Sequence, residues 1–358
     1  MRVTIINRHM SQNLGGSEIQ CDLLARGLVE RGHTVTYVAP VKQSIDVATP
    51  YTLRLVQEPS EILGAALESQ PEVAYWRYNL NHFRAVATGL GRAGIPMVFA
   101  VSHINDVTPW VWHRPSKGLV PKLRQLVRRR WNRGGFRHVR ALTTNNRDLL
   151  PLSPVADAHY VPNGMSEEAE AFNWPRPYVA WVANIKPAKR PELFVEAARA
   201  LADHGIDSLM VGHIQSSGYD WLTDPERVPP NFYYLGPRTP TEVNGLLAGS
   251  RLHAHTCQPE AFGNVFIQAW MQGRPSVSLE FDPCGYIVEQ GLGAVADGEV
   301  DAFIRQVVDW ATQPEHADAV GERARAFARE TFSVDAMVER VEGILASVAP
   351  AQSNNRDR

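Results

Sequence analysis

Residues 2–6 form a short apolar run, and the pattern predicts a buried strand at the start of the chain. A loop over 7–16 follows and ends in Gly15-Gly16. Ile19, Leu23, Leu24 and Leu28 then fall on one helical face, and Gly32 closes that helix. Ser17 stands three residues before Gln20, the spacing of a capping box. Residues 34–39 predict the next strand. Strand, glycine-containing loop, helix and strand make a βαβ unit, so a parallel sheet is expected. Further strands are predicted over 72–75, 96–101 and 140–144, with a helix from about 82 to 92.

The second half repeats this logic. Residues 178–183 predict a strand, and Pro191 is well placed as the first residue of a helix whose inner face is Phe194, Ala197, Ala198 and Leu201. Strands over 208–212, 232–235, 252–255 and 276–279 alternate with helices. Val265, Phe266, Ala269 and Trp270 give a helix after a Phe-Gly-Asn turn, ended by Gly273 and Pro275. The expected class is α/β with two doubly wound domains. An N-terminal domain spans 1–164 and closes at the turn over 159–164. Residues 165–177 carry acidic residues and two prolines and read as a linker. A C-terminal domain spans 178–332, and 333–350 form a closing helical segment.

Composition narrows the class. The chain has 358 residues, 44% of them hydrophobic and 21% charged, which suits two globular domains. A net charge of −2 argues against a nucleic-acid binder driven by bulk charge. Cys21, Cys257 and Cys284 are odd in number and widely spaced, so neither a disulfide framework nor a zinc site is expected. No apolar run is long enough to span a bilayer, and the first residues enter a strand rather than a signal peptide. The expectation is a cytoplasmic protein with a frayed polar tail over 351–358.

The candidate chemistry gathers at loops. Glu260 stands just before the turn that opens the helix at 264, where unpaired N–H groups suit an anion and a carboxylate suits hydroxyls. An ordinary strand–loop–helix unit is the plain alternative. Lys186, Lys189 and Arg190 lie in another strand-to-helix loop and fit either a diphosphate grip or surface charge. Gly15-Gly16 lets a ligand approach the backbone, or is only a tight turn; it is not the Gly-x-Gly-x-x-Gly of a dinucleotide fold. His103, directly after a strand, is an acid, base or donor, or a structural histidine. The loop over 105–121 holds Trp110 and Trp112, rings that stack on a sugar or cover the core; with Arg77 and Asp106 they are the candidate acceptor side. Residues 122–140 are strongly basic, reading as a solvated face or as a contact with an anionic membrane at its inner side.

Together these segments resemble the family 4 glycosyltransferases, retaining enzymes of the GT-B fold (glycosyltransferase group 1). The residues that carry the resemblance are Gly15-Gly16-Ser17-Glu18, Val161-Pro-Asn-Gly164, Asn184 to Arg190, and Pro259-Glu260-Ala-Phe-Gly-Asn-Val-Phe-Ile-Gln268 continuing to Gly273-Arg-Pro. The resemblance covers nearly the whole chain. It implies two facing Rossmann-like domains with the active site in the cleft, and a closing helix that packs back on the first domain. The co-substrate would be a nucleotide-diphosphate sugar, with no cofactor and no metal. Lys189 would bind its diphosphate, with Gly15, Gly16, Asn184 and Arg190 alongside. Glu260 would contact the transferred sugar, Phe262, Gly263, Asn264 and Val265 would offer backbone N–H groups, and Gln268 would hold the ribose. His103 would hydrogen-bond the sugar near the reaction centre. The acceptor would be a glycan or lipid-linked intermediate of surface polysaccharide synthesis.

Two positions depart from the family pattern. The second carboxylate of its Glu-x7-Glu pair is Gln268 here, and its usual arginine is Asn184. These departures keep open a non-catalytic GT-B homologue that acts as a binding or regulatory partner. A nucleotide-sugar epimerase or hydrolase on the same fold is a third reading.

Overall fold

The computed structural model describes residues 1–11, 15–41, 47–108, 119–258 and 263–350, and the side chains of 104 and 119–125 are outside the description. The chain divides into two compact units. Unit 1 is Met1–Gly164 with Val334–Arg358, and unit 2 is Met165–Ser333.

Unit 1 contains, in chain order, β1 (Arg2–Ile6), α1 (Gly16–Glu30), β2 (Thr34–Pro40), β3 (Thr52–Val56), α2 (Ile62–Glu68), β4 (Val73–Trp76), α3 (Phe83–Arg92), β5 (Met97–Ala100), α4 (Ile104–Val107), α5 (Leu119–Arg133), β6 (Val139–Thr144) and β7 (Ala158–Tyr160). Its strands form one sheet in the order β3-β2-β1-β4-β5-β6-β7. Every pairing is parallel; Ile5 sits opposite Tyr37 on one side and Tyr75 on the other. Side chains alternate between two buried faces, as a covered parallel sheet requires. One face packs Ile5, Tyr37 and Tyr75 against Leu24 and Leu28 of α1 and Val338 and Leu345 of the closing helix Val334–Val348. Gly27 lets these two helices cross closely, because a Cβ there would lie 2.5 Å from Val338. The other face packs Ile6, Trp76 and Phe99 against Phe83 and Phe136.

Unit 2 contains β8 (Tyr178–Val182), α6 (Pro191–Ala202), β9 (Asp207–Val211), β10 (Phe232–Tyr234), α7 (Pro240–Gly249), β11 (His253–His255), α8 (Asn264–Met271), β12 (Ser276–Ser278), α9 (Tyr286–Glu289), β13 (Gly293–Val295), α10 (Val300–Thr312) and α11 (Pro314–Phe332). The strand order is β10-β9-β8-β11-β12-β13, again all parallel. Trp181, Phe194, Phe232 and Phe303 fill one side of this sheet. On α8, Phe266 meets His253 edge-on and His255 at a tilt, and Trp270 meets Phe327 and Phe332 of α11. Among the described residues no helix is long and apolar enough to cross a membrane.

Residues 165–177, expected as a linker, are bound along unit 2. Met165 N–H donates to Phe332 O, and Glu167 receives Arg329 through both carboxylate oxygens. Asn244 on α7 holds the carbonyls of Ser166 and Glu168. Trp174 donates to the buried carboxylate of Asp207. The prolines and charges that suggested a loose tether are compatible with an extended strap, because both its carbonyls and its side chains attach to unit 2.

The capping-box expectation at Ser17 is corrected. The helix starts at Gly16 with Gly15 as its cap and no side-chain cap. Ser17 Oγ bonds Glu18 instead, and the Gln20 amide is taken by Gly164. Of the basic stretch, residues up to Arg133 lie in α5, a 3-10 turn covers Gly134–His138, and β6 begins at Val139.

Candidate active site

Most of the described candidate residues of each unit sit where strands of its sheet end and loops begin, the edge at which open parallel sheets take their ligands. In unit 2 two loops are stitched together there. After β8, Asn184 Oδ1 accepts from His213 N–H at 3.4 Å, and Ile185 N–H bonds His213 O at 2.8 Å. Gly212 makes this approach possible: at φ +150° a Cβ would lie 1.8 Å from Ala183 O. The loop then makes a 3-10 turn over Pro187–Lys189 and enters α6 through Arg190, a left-handed residue at φ 46°. Thr256 Oγ1, after β11, donates to Lys189 O at 2.6 Å and accepts from Trp181 Nε1 at 2.9 Å. Gln258 N–H bonds Ala188 O at 3.0 Å. Thus the backbone of Lys189 is fixed from the core outward.

Arg190 is placed differently from a diphosphate ligand. Its Nε donates to Thr256 O at 2.8 Å and its Nη2 to Glu280 at 3.3 Å. The guanidinium therefore holds the two loops and Glu280, two residues past β12, in one frame. Glu280, which also accepts from Gln258 Nε2 at 3.1 Å, is a site-forming residue that the sequence reading missed. Its only signal was its place just beyond a predicted strand. Asn184 likewise uses its side chain on the neighbouring loop.

The β11–α8 loop carries the core of the motif, and residues 259–262, with Glu260 and Phe262, lie outside the described residues. The described part shows Gly263 at φ 71° capping α8, with Phe266 N–H bonded to Gly263 O at 2.9 Å. That left-handed cap favours glycine. Val265 is partly buried against the α7 side of the sheet. Gln268 Nε2 donates to Asn244 Oδ1 at 3.0 Å. The Asn244 amide nitrogen is already committed to the carbonyls of Ser166, at 3.2 Å, and Glu168, at 2.7 Å. Only an acceptor is left to face position 268, so a donor is required there. Glutamine supplies it and glutamate does not, which gives the departure at Gln268 a local physical cause.

In unit 1, Gly16 has no atom within 4 Å of where a Cβ would be. No described neighbour demands a glycine there, which leaves room for a ligand. At the end of β5, His103 is exposed and its Nδ1 accepts from Asn105 N–H at 3.1 Å, so Nε2 carries the proton in the neutral ring. Asp106, expected on the acceptor side, supports the turn that carries His103. Its carboxylate accepts from the N–H groups of Ser102 and His103, both at 3.0 Å. Burial pushes that carboxyl up, opposed by the two N–H groups. Arg129 and Arg133 of α5 donate to the carbonyls of Asn105 and Asp106 and hold the same turn. Arg77 turns inward as well. Its Nη2 donates to Asn163 at 3.3 Å, its Nε is buried without a partner, and it lines a cavity of about 10 Å³ with Tyr75, Thr143 and Asn163. Such a space suits one water more than a substrate. Trp110 and Trp112 lie outside the described residues.

The chain is similar to known glycosyltransferases. Residues 176–313, most of unit 2, match the family model of glycosyl transferases group 1. A D-inositol 3-phosphate glycosyltransferase of Gordonia bronchialis is 27% identical over 212 residues, covering 54% of this chain and 44% of that protein. The match thus spans less than half the relative's length. A glycosyltransferase from Rickettsia africae superposes with a TM-score of 0.73 at 12% identity, covering 98% of this chain and 99% of that one. An alpha-glucosyltransferase solved with UDP and a 13-mer DNA gives a TM-score of 0.64 at 11% identity, over 97% and 99% of the two chains. The fold is GT-B, with a Rossmann-like sheet in each unit, and the resemblance to the group 1 glycosyltransferases holds.

Proposed function

We propose that the protein is a retaining glycosyltransferase that moves a sugar from a nucleotide-diphosphate sugar to a hydroxyl acceptor. The observation that carries this reading is the frame around Lys189. Thr256, Gln258 and Arg190 fix two loops at the C-terminal edge of the unit 2 sheet and hold the Lys189 backbone in place. A preset cation at a strand-to-helix loop stabilises charge that develops on a leaving diphosphate, with no rearrangement during reaction. In this reading Lys189 meets the diphosphate, Gly16 lies against it, and the N–H groups of Phe262, Gly263, Asn264 and Val265 face phosphate or sugar. Glu260 contacts the transferred sugar. Gln268 keeps an acceptor oxygen for the ribose while its amide nitrogen stays on Asn244. His103 donates through Nε2. Front-face substitution with retention follows, the leaving phosphate taking the acceptor proton, without a metal. The UDP in the complex of the structural neighbour supports a uridine nucleotide as the first donor to test.

The acceptor proposed is a glycan or lipid-linked intermediate of surface polysaccharide synthesis, met on the cytoplasmic side of the membrane. On α5, Val127 and Trp131 are 63% and 64% exposed, one helical turn apart, with exposed Arg128 and Arg130 on either side. An apolar stripe flanked by arginines suits the headgroup region of an anionic bilayer. The test of the main reading is a donor panel followed by calorimetry and product analysis. UDP or a UDP-sugar should raise the melting temperature, since a ligand that binds only the folded state stabilises it. Lys189→Ala and Glu260→Ala should abolish transfer while the fold persists, and the product should keep the donor's anomeric configuration. A chain that binds nucleotide sugars but never turns them over supports the non-catalytic reading. Transfer to water alone supports the hydrolase.

A further inference from the structure

A buried row of side chains lies behind the β1–α1 loop of unit 1. Arg26 Nε donates to Asp22 Oδ2 at 2.8 Å. The other oxygen, Asp22 Oδ1, accepts from Tyr51 OH. Tyr51 OH also meets His9 Nε2 at 2.8 Å, and His9 Nδ1 meets Ser11 Oγ at 2.6 Å. His9, Asp22 and Tyr51 are all buried, and Ser11 is exposed. The stacked Tyr37 and Tyr51 rings hold the imidazole in place, and Tyr37 OH fixes the preceding carbonyl, Arg8 O, at 2.7 Å.

The proton positions follow from the chemistry of each group. Each oxygen of an ionised Asp22 only accepts, so Tyr51 must give it the phenol proton. The phenol oxygen can then only accept from the ring, so His9 carries its proton on Nε2. Its Nδ1 is left as an acceptor, and it faces two donors, Ser11 Oγ and Ser11 N–H at 3.3 Å. The serine proton therefore points inward and the oxygen lone pairs point away from the relay.

We propose that Asp22, Tyr51 and His9 orient Ser11 Oγ as a fixed hydrogen-bond acceptor for a hydroxyl of a polyol or sugar ligand, with His9 as the positioning residue. Ser11 follows β1 on the way to Gly16, the first residue of α1, where no described atom lies within 4 Å of a Cβ position. An oxygen whose proton is tied behind it accepts from a ligand hydroxyl without first reorienting. The assignment of that ligand to the acceptor rests on the transferase reading; the relay itself does not.

Two measurements on the full chain test this. Long-range 1H–15N spectra of the histidine rings, assigned with His9→Gln, should show His9 protonated on Nε2, and Tyr51→Phe should shift it toward a mixture of tautomers. Titration with methyl α-glucoside as a hydroxylated probe should move the His9 Nδ1 signal in the wild type and in Ser11→Thr, but not in Ser11→Ala. In transfer assays Ser11→Ala should raise the acceptor KM by about three- to tenfold, the size of one neutral hydrogen bond, with the donor KM unchanged and Ser11→Thr near wild type. A His9 protonated on Nδ1, a wild type silent to the probe, or a response that survives Ser11→Ala overturns the proposal. A wild type that turns over no nucleotide sugar overturns the transferase reading alone, because the histidine spectra still decide the relay.

Discussion

Gln20 reads the peptide of Gly164 from both sides. Its Nε2 donates to Gly164 O at 2.7 Å, and its Oε1 accepts from Gly164 N–H at 2.7 Å. The pair joins the first helix to the last residue of the Val-Pro-Asn-Gly segment. It is the kind of two-pronged contact that a primary amide makes with the N–H and the C=O of one residue. It also explains why Gln20 leaves the capping role to which its spacing pointed.

Gln20→Leu should therefore lower the stability of unit 1 by about 2–4 kcal/mol, since it strands a buried N–H and a buried C=O. Gln20→Glu should lose nearly as much, because a carboxylate repels the Gly164 carbonyl. Urea unfolding followed by the fluorescence of buried Trp76 in unit 1 measures both. A Gln20→Leu chain as stable as the wild type would show that water replaces the amide without penalty.

Much of the fold was legible because each signal was local. The apolar run of β1 and the periodic face of the closing helix need no partner to be read. The strands that were missed are at or near sheet edges. Thr52–Val56 alternates exposed and half-buried positions, and Ala158–Tyr160 and Gly293–Val295 are half-buried throughout, whereas the equally short β11 and β12 are buried at every position. The candidate site divides in the same way. Lys189 and Gly16 stood out by residue type in a loop. Asn244 facing Gln268, Glu280 facing Arg190, and Tyr51 facing His9 did not, because each pair is joined only by the folded sheet.

Gln268→Glu, the change that restores the family's carboxylate pair, should destabilise unit 2. Asn244 cannot turn its amide to meet the new carboxylate without releasing Ser166 O and Glu168 O. The expected loss is about 0.5–1.5 kcal/mol for a half-buried hydrogen bond replaced by two facing acceptors. Thermal unfolding reports it directly. A melting temperature equal to or above that of the wild type would mean that the asparagine is free to flip.

Two glycines should respond in opposite ways. Gly212→Ala places a methyl 1.8 Å from Ala183 O at a left-handed φ, so β8 and β9 must part at the site edge. Soluble yield and melting temperature should both fall. Gly16→Ala meets no described atom, so the melting temperature should stay within a degree or so while nucleotide-sugar turnover falls, if a diphosphate lies against that backbone. Full turnover in Gly16→Ala would remove the residue from the donor site.

The last prediction concerns pH. His253 is fully buried on β11 with Nε2 unpaired, and burial, then the neighbouring His255, hold its pKa well below the ordinary value of 6.5. Its ring stays neutral in the folded chain where the unfolded chain binds a proton. Below 6.5 the unfolded state therefore carries more protons, so stability rises with pH and is lost as pH falls. Burial lowers His9 in the same sense. Each such histidine contributes a slope of up to about 1.4 kcal/mol per pH unit between 6.5 and its folded value. His253→Asn removes the titrating ring, so its unfolding free energy should fall less steeply than that of the wild type from pH 6.5 downward. Parallel slopes for the two proteins would show that His253 is protonated in the folded state.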